Sequence, residues 1–120
     1  MIDNSKNNKK LGWVITGSGH FFEECLDIMS NLGDFDLFVS KAADEVIRMY
    51  KKKKASFPKN TRIFRDTTAS SAPVGFFYKN IYHTLVIAPA TSNSIAKFVA
   101  GISDNLATNI FAQAGKCKVP

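Results

Sequence analysis

Apolar and polar positions along this chain alternate between a strand-like and a helix-like period. "LGWVIT" at positions 11–16 is a short apolar, β-rich run ended by "GSG", the pattern of a buried strand opening into a tight loop. Between His20 and Leu32 the apolar residues Phe22, Cys25, Leu26, Met29 and Leu32 recur at threes and fours, which marks one face of a helix. "DFDLFVS" is strand-like from Phe35 to Ser40, and "KAADEVIRMYK" then sets Ala43, Val46, Ile47 and Tyr50 on a helical face. After a lysine run, "TRIFRD" reads as a short edge strand and "APVGFFYKNI" as a short helix. "HTLVIA" is a continuous apolar run of the kind found in strands covered on both faces. Ile95, Phe98, Val99 and Ile102 give another amphipathic helix, and a further helix is predicted to start near Ser103 or Asp104, both good N-caps.

Strands alternating with helices imply right-handed crossovers and a parallel sheet, so the expected class is an open, doubly wound α/β fold. Residues 1–10 read as a mobile polar tail and 11–120 as one domain, with no internal repeat or low-complexity segment. The closing "GKCKVP" carries a helix C-cap signal at Gly115, followed by what reads as the first residue or two of a further strand. The domain is therefore expected to be cut short on its C-terminal side.

Composition narrows the class. A chain of 120 residues that is 45% hydrophobic and 22% charged buries a real core and lacks the signature of disorder. The longest apolar runs, such as "LVIAPA", fall far short of the ~20 residues that span a bilayer, and "MIDNSKNNKK" has no apolar stretch behind its lysines. A cytoplasmic protein without a membrane partner is the expectation. Cys25 lies in a helical pattern and Cys117 near the end, a spacing that suggests neither zinc nor a disulfide framework, so both read as reduced thiols and no metal is expected.

The net charge of +6 is segregated: seven of the sixteen basic residues fall between Lys51 and Arg65, and seven of the ten acids between Glu23 and Glu45. The run from Lys51 to Lys54 reads as a solvated loop or as a docking face for an acidic partner. Nucleic acid fits it less well, because no aromatic residues interleave the run as stacking platforms.

Ligands of open α/β sheets bind beyond the carboxyl ends of the strands. Three loops leave such ends here, "TGSGH", "SKAA" and "APATSNS", and all are rich in small or hydroxylated residues. In "TGSGH", glycines allow backbone N–H groups to approach an anion and the following helix adds its positive end, although a tight ligand-free turn has the same composition. The third glycine of a dinucleotide fingerprint would fall at Phe22, and the acidic ribose ligand is replaced by Ser40, which argues for a mononucleotide rather than NAD. Ser40 can cap the helix from Lys41, bind a phosphate, or both. His20, at a helix start, reads as a capping or packing residue before a proton-transfer one, and is the single candidate for a catalytic role; His83, just ahead of an apolar strand, reads as structural.

With these residues assembled, the chain resembles the FMN-binding flavoprotein family of phosphopantothenoylcysteine decarboxylases, lantibiotic-cysteine decarboxylases, flavin prenyltransferases, archaeoflavoproteins and dihydromethanopterin reductases. "ITGSGH" at 15–20 and "APATSNSIAKFVAGISDNLATN" at 88–109 carry the resemblance; the second is similar to the family's Pro-Ala-Ser/Thr-x-Asn-Thr segment. It implies a flavodoxin-like (Rossmann-like) sheet, trimers or multiples of trimers, and FMN bound near subunit boundaries. By position, Gly17, Ser18 and Gly19 would approach the phosphate and Ser40 the phosphate or ribityl chain. Ala88, Pro89, Ala90, Thr91, Asn93 and Ser94 would line the flavin, with Thr91 and Asn93 as the leading polar contacts.

Within the family, His83 lies too close to its strand to match the decarboxylases' catalytic histidine, and "APATSNS" does not resemble the third loop of the prenyltransferases. "GSGHFFEE", "KAADEVIRMY" and "GFFYKNIYHTLVIAPATSNSIAK" resemble the archaeoflavoprotein and dihydromethanopterin reductase branch. That branch implies an FMN oxidoreductase relaying electrons from a ferredoxin-type donor, for which Lys51 to Lys54 would be a docking face, to a pterin or similar small-molecule acceptor. The alternatives are an FMN-dependent decarboxylase of a cysteine-containing substrate and a truncated, non-catalytic flavin-binding fragment.

Overall fold

Four apolar runs form the strands β1 (Lys10–Ile15), β2 (Phe35–Val39), β3 (Arg62–Arg65) and β4 (Tyr82–Ile87) of a computed structural model that describes residues 9–51, 57–58, 61–67 and 72–120. The helices between them are α1 (Phe22–Ser30), α2 (Lys41–Lys51), α3 (Ala72–Gly75, continuing as a tighter 3₁₀ turn over Phe76–Lys79), α4 (Ser92–Ala100) and α5 (Leu106–Lys116). All strand pairs are parallel and the sheet order is β3-β2-β1-β4, the Rossmann-like, doubly wound arrangement expected. Residues 1–8 of the expected tail, the basic residues 52–54, and the side chains of Tyr50 and Lys51 lie outside the described residues.

Successive side chains of a strand point to opposite faces, and here both faces are covered. Trp13, Ile15, Leu37 and Val39 pack with Phe22, Cys25 and Met29 of α1 and with Ala43 and Ile47 of α2. Val14 and Phe38 pack on the other face with Phe77 and Tyr82, and with Leu106, Ala107, Ile110 and Ala114 of α5. Continuous apolar runs in β1 and β2 are the direct consequence of this double burial.

The amino edge of the sheet holds a polar cluster that draws on all four strands. Asp36 of β2 is fully buried and accepts hydrogen bonds from the Tyr82 hydroxyl (2.6 Å), from Nε (3.0 Å) and Nη2 (2.6 Å) of Arg62, and from Lys10 Nζ (3.4 Å). Burial alone would push the Asp36 carboxyl up. The Arg62 and Tyr82 hydrogen bonds and the Arg62 and Lys10 charges outweigh it and hold the group below the ordinary carboxylate value. Burial and the neighbouring carboxylate in turn push the Tyr82 phenol well above its ordinary value.

Helix ends differ from expectation in two places. The last helix is capped by Asn105, not by Ser103 or Asp104: Asn105 Oδ1 accepts from Thr108 N (2.8 Å) while Thr108 Oγ1 accepts from Asn105 N (3.0 Å), a reciprocal box. Three residues beyond Ser103 and Asp104 stand Leu106 and Ala107, which have no polar side-chain group to reciprocate, and Asp104 pairs with Lys97 instead (2.9 Å). Gly115 is not the C-cap; it lies inside α5, which ends in a Schellman pattern with Val119 N donating to Ala114 O (2.9 Å) and Lys118 N to Gly115 O (3.2 Å). The left-handed position of that motif falls on Lys118 (φ 56°), whereas the same motif after α4 uses Gly101 (φ 74°). After α5 the described residues form no further strand; Leu85 N of β4 donates to Pro120 O at 2.7 Å.

The apolar stripe of α4 does not join the core. Val99 is 85% exposed, Ile95 49% and Ile102 46%, and only Phe98 finds an aromatic partner, stacking on Phe111 at 4.4 Å between centroids.

Candidate functional site

Strand order reverses at β1, with β2 on one side and β4 on the other, so the loops leaving β1 and β4 flank a crevice at the carboxyl edge. Thr16, the first residue after β1, ties them together. It is buried; its N–H (3.2 Å) and hydroxyl (2.7 Å) both donate to Pro89 O, and the hydroxyl accepts from Thr91 N (2.8 Å). Trp13 Nε1 donates to Ala88 O (2.6 Å) and Ala88 N to Val14 O (3.0 Å), so the start of "APATSNS" is held by main-chain contacts on both sides.

Gly17 is required by packing against the neighbouring helix. A Cβ there would sit 2.4 Å from the Cβ of Ala42, so the loop lies directly on the first turn of α2. Ser40 ends β2, is buried, and caps α2 by accepting from Ala43 N (3.1 Å). Thr91 caps α4: its hydroxyl accepts from Ser94 N (3.1 Å) and donates to Ser94 Oγ (2.9 Å). Asp66, just past β3, accepts from Leu106 N (3.1 Å) through Oδ2 and so anchors the start of α5.

These elements enclose a cavity of about 360 Å³ lined by Gly17, Ser40, Lys41, Ala42, Asp66, Thr91, Asn93, Ser94 and Asn105. Helices α2, α4 and α5 all begin at it, and three hydroxyls, two amides, one cation and one carboxylate line it. A phosphorylated, hydroxyl-bearing ligand is the chemistry such a set accommodates, and the volume falls within the ~300–1,000 Å³ of small-molecule sites.

A family model described as Flavoprotein matches residues 2–120. The chain belongs to the flavoprotein family. It is 36% identical to a dihydromethanopterin reductase (acceptor) of Methanosarcina mazei, in a match covering 93% of this chain and 52% of the relative. A second protein of that name, from Methanocaldococcus jannaschii, is 34% identical over 91% of this chain and 50% of its own length. This flavoprotein thus spans about half the length of those curated relatives. Among solved structures it is similar to Burkholderia xenovorans DmrB in complex with FMN, described as a cubic protein cage for redox transfer (TM-score 0.84, 46% identity, 96% of this chain and 64% of that one). It is also similar to a phenylacrylic acid decarboxylase from Aquifex aeolicus (TM-score 0.71, 26% identity, 93% of this chain and 64% of that one).

Of the flavoprotein's sequence-predicted site residues, the fold brings Gly17, Ser40, Thr91, Asn93 and Ser94 to the cavity. Ser18, Gly19, Ala88, Pro89 and Ala90 are not among its lining residues. Ser18 Oγ donates to His20 O (3.3 Å), Gly19 O accepts from Phe22 N (3.3 Å), and the Ala88 and Pro89 carbonyls are taken by Trp13 and Thr16. His20 is exposed, off the cavity, and packs edge-on against Phe21 with ring centroids 4.1 Å apart. His83 lies at the opposite edge of the sheet, its Nδ1 2.9 Å from Thr84 Oγ1.

The sequence reading misses Thr16, Lys41, Ala42, Asp66 and Asn105. Thr16 carries a signal, a hydroxyl at the end of a buried apolar strand. Asp66 closes "TRIFRD" and opens a fourth loop at the carboxyl edge. Asn105 was hidden by the misplaced helix start.

Among the described residues no helix is long and apolar enough to cross a membrane.

Proposed function

We propose that this chain binds FMN at the carboxyl-edge cavity and belongs to an oxidoreductase of the dihydromethanopterin reductase type. In this reading it relays electrons from a ferredoxin-type donor to a pterin or similar acceptor. The observation that carries the proposal is the convergence of Gly17, Ser40, Thr91, Asn93 and Ser94, drawn from three separate loops, on one cavity. The 34–36% identity to two dihydromethanopterin reductases supports this reaction over decarboxylation, for which the likeness is 26%.

The residues fit the cofactor by chemistry. Lys41, the buried Ser40 hydroxyl and the N-terminal turn of α2 suit the phosphate. The Thr91 hydroxyl is engaged in capping, so Asn93, exposed at the first turn of α4, and the remaining donor of Ser94 are the polar groups available to the ring's polar edge. FMN, when bound, supplies the redox chemistry, while the chain contributes binding, orientation and electrostatics. No acid–base pair of the chain's own is needed for electron relay, and His20 is a candidate only for proton delivery to an acceptor.

A homo-oligomer, with a trimer or a multiple of one as the proposed state, is supported by the exposed stripe of Ile95, Val99 and Ile102, which continues from the helix whose first turn lines the cavity. The run from Lys51 to Lys54 is the proposed docking face for the acidic donor, on charge alone.

The test is direct. Protein mixed with FMN and desalted should be yellow, with absorbance near ~450 nm, and should be reduced anaerobically by reduced ferredoxin faster than by a nicotinamide nucleotide. A colourless protein overturns the flavin assignment, and release of carbon dioxide from phosphopantothenoylcysteine overturns the reaction.

A further inference from the structure

Two polar groups of the cavity are half-used by the fold, and their unused halves are complementary. Asp66 spends Oδ2 on the Leu106 N–H (3.1 Å), and among the described residues its Oδ1 has no hydrogen-bond partner. Asn105, the residue before Leu106, spends its Oδ1 on the N–H (2.8 Å) and hydroxyl (2.9 Å) of Thr108. This fixes the amide so that its NH₂ is the outward group, again without a partner among the described residues. An ionised acceptor and an amide donor therefore border the same cavity side by side, attached to the same helix start.

That pair discriminates by chemistry. A phosphate offers acceptors and negative charge, which the amide would welcome and the carboxylate would repel. A hydroxyl offers both a donor and an acceptor and satisfies the two groups together, one of the bonds being charge-assisted. We infer that Asp66 and Asn105 read the hydroxylated chain of the bound flavin, the ribityl hydroxyls, and so fix the direction in which the ligand lies, with its phosphate held away from β3 and toward Ser40 and Lys41. The inference rests on the proposed flavin site. It adds two ligand-contacting residues to it and a rule for the ligand's orientation.

Two variants keep the helix start intact. Asp66→Asn retains an oxygen for the Leu106 N–H, and Asn105→Asp retains the N-cap acceptor while removing the outward donor. The full chain and both variants are titrated by flavin fluorescence with FMN, with riboflavin, which keeps the ribityl chain but lacks the phosphate, and with lumiflavin, which has the ring alone. Circular dichroism of each variant reports whether it folds. Each substitution should weaken FMN and riboflavin by a similar factor of about tenfold, as expected when a charge-assisted or complementary bond is lost, and leave lumiflavin within about twofold. Equal weakening of all three flavins would reduce the pair to helix anchors and overturn the inference. So would a loss confined to FMN, which would put the pair at the phosphate, or no loss for riboflavin. Failure of the unsubstituted chain to bind any of the three would remove the flavin site itself, a separate outcome visible before any variant is compared.

Discussion

Asp36→Asn keeps the shape of the side chain and removes the charge around which the amino edge of the sheet is organised. Three short hydrogen bonds reach the carboxylate, two from Arg62 and one from Tyr82, and Lys10 lies 3.4 Å away. Breaking a buried pair by removing one partner costs about 3–5 kcal/mol, because a charge is stranded without solvent. Here the stranded partner is Arg62, whose side chain is 48% exposed and can return its guanidinium to water. Tyr82 keeps an acceptor in the new amide. The expected loss is therefore about 2–3 kcal/mol, and with a urea dependence of ~1–3 kcal/mol per molar it moves the midpoint of unfolding down by roughly 0.7–3 M.

The pH dependence follows from the same network. The folded carboxyl titrates below its unfolded value of about 3.9, so its contribution is fully present above that value and is lost as pH falls through the folded one. Urea melts followed by circular dichroism at neutral pH and near pH 3 should show the gap between the wild type and Asp36→Asn narrowing in acid. A variant whose midpoint at neutral pH lies within about 0.3 M of the wild type, or a gap that stays constant in acid, would refute the reasoning.

Thr16→Val preserves volume but removes the hydroxyl that joins the β1 and β4 loops, leaving the half-buried Thr91 N–H without its acceptor. The loss should be about 1–3 kcal/mol in a chemical melt, accompanied by weaker FMN binding in a fluorescence titration. Gly17→Ala places a Cβ on that of Ala42 and should cost at least about 1–3 kcal/mol by overpacking, read as a lowered melting temperature. Lys118→Gly relieves a left-handed residue at the end of α5 and should raise stability by up to about 1 kcal/mol; a lowered melting temperature would contradict the assigned helix end. Val99→Asp puts a charge on the exposed stripe of α4 and should shift the sedimentation profile toward monomer, leaving the circular dichroism spectrum unchanged.

The local code of this chain is read from neighbours in sequence, and that is where the sequence alone determined the outcome. Period-two and period-3.6 patterns depend only on which residues are apolar, so the four strands, the helices between them and the parallel, doubly wound class were legible from "LGWVIT", "DFDLFVS" and "HTLVIA" onward. The same holds for Ser40 and Thr91, whose capping chemistry is set within three residues, and for the small, hydroxylated loops that marked the carboxyl edge. What required the tertiary structure was every relation between distant segments. Thr16 meets Pro89 and Thr91 only because β1 and β4 are adjacent, and Asp36 becomes a buried junction only when β1, β3 and β4 deliver Lys10, Arg62 and Tyr82 to it. Asp66 meets Leu106 only when the fold brings the start of α5 to the end of β3. Such contacts depend on strand order, which no local pattern encodes. The exposure of Ile95, Val99 and Ile102 is of the same kind: an apolar stripe announces that it will be covered, and only the packed fold shows that the described residues of this chain do not cover it.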